Sequence, residues 1–174
     1  IDLTIFKGAT LEIEAGTKVQ FAKETRMIVA GNLVASGTKS QKISFTGLHE
    51  CNWNGFFFTK DCNDYNPKTK EGVTFNCCIF KGTNETPAHL IRSKGCNISI
   101  TNCNIEACYT AIQIERQAEI WINGSVFKNC NRVINVRNTS LATITNNKMI
   151  ACNSIMLGGT TTFRNNVLKK FTGK

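Results

Sequence analysis

ITNCNIEACYTAIQI, residues 100–114, decides the fold, because both of its halves return along the chain. The opening half recurs as FNCCIF (75–80), ITNCNI (100–105), INGSVF (122–127), ITNNKM (144–149) and FRNNVL (163–168), at successive offsets of 25, 22, 22 and 19 residues. The closing half recurs in the three central copies as Cys108-x-x-Ala111-Ile112-x-Ile114, Cys130-x-x-Val133-Ile134-x-Val136 and Cys152-x-x-Ile155-Met156. A period of this length marks units that cannot bury their own apolar faces and must stack on their neighbours. Within each unit the apolar residues alternate over a few positions, which is the spacing of short strands and not of helices. Three short strands with their turns fit in about 22 residues, so each period makes one coil of a parallel β-solenoid.

Laid over one another, the coils put Cys108, Cys130 and Cys152 in one column, with Thr83 before them and Phe171 after. Asn102, Asn146 and Asn165 form a second column, interrupted by Cys77 and Gly124. Like residues then sit about 4.8 Å apart, and asparagine at a turn can pass amide hydrogen bonds from coil to coil. Outward positions of the strands give two polar files. One runs through Ser44, Thr74, Ser99, Trp121 and Thr143, the other through Thr46, Asn76, Thr101, Asn123 and Thr145. Exposed strand positions suit such residues in any case.

The phrase I-x-N-N-x-I followed by an apolar doublet resembles the coil repeat of right-handed parallel β-helix proteins of the pectin-lyase-like superfamily. The opening, GATLEIEAGTKVQF (8–21), GNLVASG (31–37), ISFT (43–46) and WNGFFF (53–58), resembles the first coils of extracellular β-helix proteins, a group that includes microbial surface adhesins. The resemblance implies an all-β, right-handed, single-stranded parallel β-helix of about seven to eight coils and carries no catalytic residue. One domain is expected over 1–174, with N-terminal coils in 1–58, a polar insertion KDCNDYNPKTKEG in 60–72 and regular coils in 73–174. The abrupt apolar start at Ile1 and the lack of a cap helix suggest part of a longer chain.

Nine cysteines are many for 174 residues, and an odd number leaves at least one unpaired. Cys51 and Cys62 have a spacing that could close a disulfide across the insertion, and since neighbouring coils bring Cα atoms within disulfide range, Cys78 with Cys103, or two of Cys108, Cys130 and Cys152, are further candidate bridges. Cys108, Cys130 and Cys152 read better as small buried thiols. No C-x-x-C pair occurs, and His49 and His89 stand alone, so no metal site or cofactor is expected. Asp61 and Asp64 fall short of the six to eight oxygens that calcium takes. Four glycosylation sequons occur, at Asn84, Asn97, Asn123 and Asn138, close to the chance number.

The net charge of +9 favours anionic partners, but the basic residues are scattered and no nucleic-acid motif accompanies them. No apolar run approaches the length of a membrane span. Polysaccharide cleavage on such a fold needs clustered carboxylates, yet Glu106 is followed one coil later by Lys128 and then Ile150. The expectation is therefore a non-enzymatic module outside the cell or on its surface. It would bind a glycan or protein partner, with Trp53, Tyr65 and Trp121 as stacking residues and Thr101 and Thr145 beside them. Ice binding through the Ser/Thr/Asn files, a carbohydrate-active enzyme, and a scaffold within a larger assembly are the alternatives.

Overall fold

In a computed structural model describing residues 2–82 and 88–172, the chain winds through seven coils of three short strands. The first coil holds β1 (Leu3–Ile5), β2 (Thr10–Ile13) and β3 (Lys18–Phe21). The second holds β4 (Met27–Val29), β5 (Asn32–Ser36) and β6 (Ile43–Gly47), and the third β7 (Phe56–Phe58), β8 (Thr74–Asn76) and β9 (Cys78–Lys81). The fourth holds β10 (His89–Lys94), β11 (Ile98–Thr101) and β12 (Asn104–Glu106). The fifth holds β13 (Thr110–Glu115), β14 (Glu119–Asn123) and β15 (Val126–Lys128). The sixth holds β16 (Arg132–Val136), β17 (Leu141–Thr145) and β18 (Lys148–Ile150), and the seventh β19 (Ser154–Leu157), β20 (Thr160–Arg164) and β21 (Val167–Lys169).

Each strand pairs in parallel with its equivalents in the coils before and after, giving three seven-stranded sheets around one apolar core. The first sheet runs β1-β4-β7-β10-β13-β16-β19, the second β2-β5-β8-β11-β14-β17-β20 and the third β3-β6-β9-β12-β15-β18-β21. The repeat therefore has the architecture read from its period.

Two corners are made by single residues in the left-handed region. Cys77, Asn102, Gly124, Asn146 and Asn165 take φ of 52°, 54°, 64°, 58° and 54° between the second and third sheets. Ala107, Asn129, Ala151 and Lys170 do the same after the third sheet. Asparagine and glycine tolerate this conformation best, which is why the second column of the sequence is rich in them. At Gly124 a Cβ would stand 2.8 Å from Asn102 Oδ1, so a side chain there would have to displace the Asn102 amide.

The asparagine column is exposed, and its amides do not all bond like to like. Asn165 Nδ2 donates to Asn146 Oδ1 at 3.3 Å, whereas Asn102 and Asn146 donate to Asn76 Oδ1 and Asn123 Oδ1 at 3.2 and 2.7 Å. The buried polar ladder is the next column along: Cys78, Cys103, Ser125, Asn147 and Asn166. Here each side chain after Cys78 accepts the backbone N–H of the coil before it. Cys78 N–H donates to Cys103 Sγ (3.4 Å), Cys103 N–H to Ser125 Oγ (3.1 Å), Ser125 N–H to Asn147 Oδ1 (2.8 Å) and Asn147 N–H to Asn166 Oδ1 (2.9 Å). Asn147 Nδ2 and Asn166 Nδ2 return hydrogen bonds to the carbonyls of Ile122 and Ile144, also one coil back.

Cys108, Cys130 and Cys152 stack as buried free thiols, coil to coil, and Phe171 packs against the core after them. Thr83, placed before them in this column, lies outside the described residues, as does the sequon at Asn84. Each sulfur donates to the carbonyl two residues earlier, at 3.4 to 3.5 Å. The Cys130 thiol and burial push Cys152 well above the ordinary thiol range, and the Cys108 neighbour does the same to Cys130. Cys130 and Cys152 therefore stay protonated and poorly nucleophilic.

The disulfide expectations need correction. Cys62 bonds to Cys96, one coil on, with Cα atoms 6.0 Å apart. Cys51 is free and donates to the Phe21 carbonyl, because β7 (Phe56–Phe58) runs between it and Cys62 and sets the two at different corners of the solenoid. Cys78 and Cys103 are also free: the Cys103 sulfur is an acceptor in the buried ladder, and it raises the Cys78 thiol far above its usual range, with burial adding to the effect.

Candidate functional site

The insertion between β7 and β8 is where the solenoid departs from its own period, and it is tied down at several points. Cys62 is bonded to Cys96, Asn63 N–H donates to Gly31 O at 3.0 Å, and Tyr65 N–H donates to Asn97 O at 3.0 Å. Asp64 Oδ1 accepts from Asn97 N–H at 2.7 Å. Cys62, Asp64 and Cys96 form a close trio, but with the two sulfurs joined and the carboxylate engaged they are not a thiolate metal site. Asp61 lies apart, 3.6 Å from Lys7.

Held this way, the insertion lies over the outer face of the second sheet. Tyr65 packs on Trp121 of β14, with ring centroids 5.4 Å apart and planes tilted by 58°. Both rings are half-buried, so each keeps a face toward solvent. Ser99, directly below Trp121 in the ladder, is buried. Beside Trp121 a shallow groove of about 190 Å³ is lined by Glu119, Leu141, Thr143, Thr160 and Thr162.

The files flanking this platform are not quite those read from the sequence. The first runs Val34, Thr74, Ser99, Trp121, Thr143 and Thr162, and the second Ser36, Asn76, Thr101, Asn123, Thr145 and Arg164. Ser44 and Thr46 belong to β6 of the third sheet, where Ser44 pairs with Lys18 and Ile79. Period-two alternation tells inside from outside but does not say which sheet a strand joins. Thr101 and Thr145 donate to Asn76 Oδ1 (2.9 Å) and Asn123 Oδ1 (3.0 Å), so the second file is bonded in two pairs.

Trp53 is not at this surface. It is fully buried, stacked on Phe21 at 4.1 Å and 3°, with Nε1–H donating to Lys81 O at 3.2 Å. The polar insertion is the signal that points to Tyr65. Nothing in the sequence marks the contact with Trp121, which requires the path of the insertion across the sheet.

A second polar cluster sits on the first sheet. His89 Nε2 and Asn135 Nδ2 both meet Gln113 Oε1, at 2.8 and 3.1 Å, and Arg92 Nε donates to Glu115 Oε1 at 2.9 Å. Since an amide oxygen only accepts, His89 carries its proton on Nε2. Burial lowers the His89 pKa, opposed by the Gln113 hydrogen bond. For Glu115 burial acts upward, but hydrogen bonds from Gln113 and Arg92 outweigh it and hold the carboxyl below its ordinary value. The sequence alone hides this cluster, since His89 is solitary along the chain and only the coil stacking sets Gln113 and Asn135 beside it.

No helix among the described residues is long and apolar enough to cross a membrane. No protein-family model matches the chain, and no curated protein matches it. What stands is a parallel β-solenoid of about seven turns.

Proposed function

We propose that this chain is a non-enzymatic binding module that takes a glycan on the outer face of its second sheet, outside the cell or on its surface. The observation that carries the reading is the Tyr65–Trp121 pair, assembled from an insertion and a strand far apart in sequence and set beside the bonded pairs Asn76–Thr101 and Asn123–Thr145. Aromatic faces receive the apolar side of a sugar ring, while Thr143, Thr162 and Glu119 offer donors and acceptors to its hydroxyls. Arg164 at the end of the second file, and the net charge of +9, favour an anionic glycan. The Cys62–Cys96 disulfide supports an oxidising compartment.

A glycan array that includes neutral and sulphated oligosaccharides tests this. The expected result is binding by the parent chain and a loss of about tenfold or more in Trp121→Ala and in Tyr65→Ala, since an aromatic contact contributes on the order of 1 kcal/mol beyond its buried area. Absence of binding by the parent overturns the reading. Ice binding by the same face is the second reading, favoured by the register of Thr101, Asn123 and Thr145. Thermal hysteresis in the parent that Thr145→Tyr abolishes would replace the first reading with it.

A further inference from the structure

Five buried side-chain polar atoms lack a hydrogen-bond partner among the described residues: Asn32 Oδ1, Thr110 Oγ1, Arg132 Nε, Ser140 Oγ and Thr161 Oγ1. Only two of them belong to direct register partners, Thr110 in β13 and Arg132 in β16. Thr110 is 1% exposed, and its other register partner is His89 in β10. A guanidinium N–H can only donate and a threonine hydroxyl is free to donate, so two adjacent unfilled donors look for one acceptor.

The charges around them point the same way. The cluster holds two guanidiniums, Arg92 and Arg132, and one carboxylate, Glu115, which is already taken by Arg92 and Gln113. His89 is held by Gln113, and its pKa is lowered by burial and by both arginines. With Lys94 also beside Glu115, positive charge exceeds negative here, and Arg132 has no carboxylate partner among the described residues.

We propose that the His89–Thr110–Arg132 column binds a single oxyanion of the sulfate or carboxylate type, which accepts from Arg132 Nε and Thr110 Oγ1. His89 and Arg132 are only half-buried, so rotation of these two side chains opens the pair with the backbone unchanged. The site is on a different sheet from the Tyr65–Trp121 platform and does not depend on it.

The test is an amide chemical-shift titration of the whole chain with sodium sulfate and, separately, sodium glucuronate, each against sodium chloride at equal ionic strength. Saturable shifts at residues 109–111 and 131–133 are expected with at least one of the two. The anion giving the lower half-saturation distinguishes an inorganic source from an acidic sugar. Thr110→Val keeps the shape and removes the donor, and Arg132→Lys keeps the charge and removes Nε–H. Each raises the half-saturation concentration at least tenfold, while Trp121→Ala leaves it unchanged. If Thr110→Val does not fold, Arg132→Lys alone decides. Shifts matched by chloride, shifts that never saturate, variants that respond like the parent, or loss of the response in Trp121→Ala would each overturn the proposal.

Discussion

The first three coils and the last four fill the same three-sided interior by different means. In the first three coils aromatic rings do it: Phe21 lies on Trp53, Phe45 on Phe80, and Phe56 meets Phe45, Trp53 and Phe75 edge-on. From the fourth coil on, isoleucines and valines take over, among them Ile100, Ile112, Ile122, Ile134 and Ile144, and a buried polar ladder runs beside them. Large rings tolerate coils of unequal length, because their edges and faces span irregular gaps. Branched aliphatics stacked at one strand spacing need a regular period. The regular half therefore carries the legible repeat, and the irregular half carries the insertion.

The largest effect that would separate the halves is loss of a ring. Trp53→Ala is expected to cost about 3–5 kcal/mol in chemical denaturation, against about 0.5–1.5 kcal/mol for Ile122→Val in the regular half. Equal losses would break the contrast. Next comes the seam between them: replacing Cys62 and Cys96 together by serine should lower stability by about 2–4 kcal/mol and free Tyr65 from Trp121, seen as a change in tryptophan fluorescence. In the regular half, Asn147→Ala leaves the Ser125 N–H buried without an acceptor and should cost about 1–3 kcal/mol. The smallest effect is on pH dependence and is read from His89 and Glu115 in the regular half. With the folded His89 pKa below its ordinary 6.5, its contribution is fully present above that pH and is lost as the pH falls through the folded value. Glu115, held below 4.5, adds a second loss at lower pH. A melting temperature that falls in these two acid steps, with the first removed in His89→Gln, is the expected profile.

The solenoid is legible in the sequence because its period and its inside–outside alternation follow directly from coil geometry, as the Cys108–Cys130–Cys152 column illustrates. The sequence misleads where identity depends on which sheet or which coil a residue joins. Ser44 and Thr46 alternate just as Thr74 and Asn76 do, yet they lie on another sheet. Trp53 reads as a surface aromatic because its neighbours are asparagines, but Phe21 from the first coil covers it. The ladder that begins at the Cys78 amide and runs through Cys103, Ser125, Asn147 and Asn166 escapes a reading by columns because its acceptors differ chemically and share only the ability to take an N–H. The candidate site is half legible: Tyr65 and Trp121 are readable as aromatics in polar surroundings, while their pairing depends on the folded path of the insertion.

That ladder also has a direction. Each rung serves the amide of the coil on its N-terminal side, so peeling coils away from the two ends is not equivalent. Cutting the chain after Arg164 removes Asn166 and strips the acceptor from the Asn147 amide, whereas trimming the first coils takes nothing from the ladder's remaining amides. The solenoid should thus tolerate shortening from its amino-terminal side better than from the other, a vectorial stability that a stack of purely apolar coils would lack.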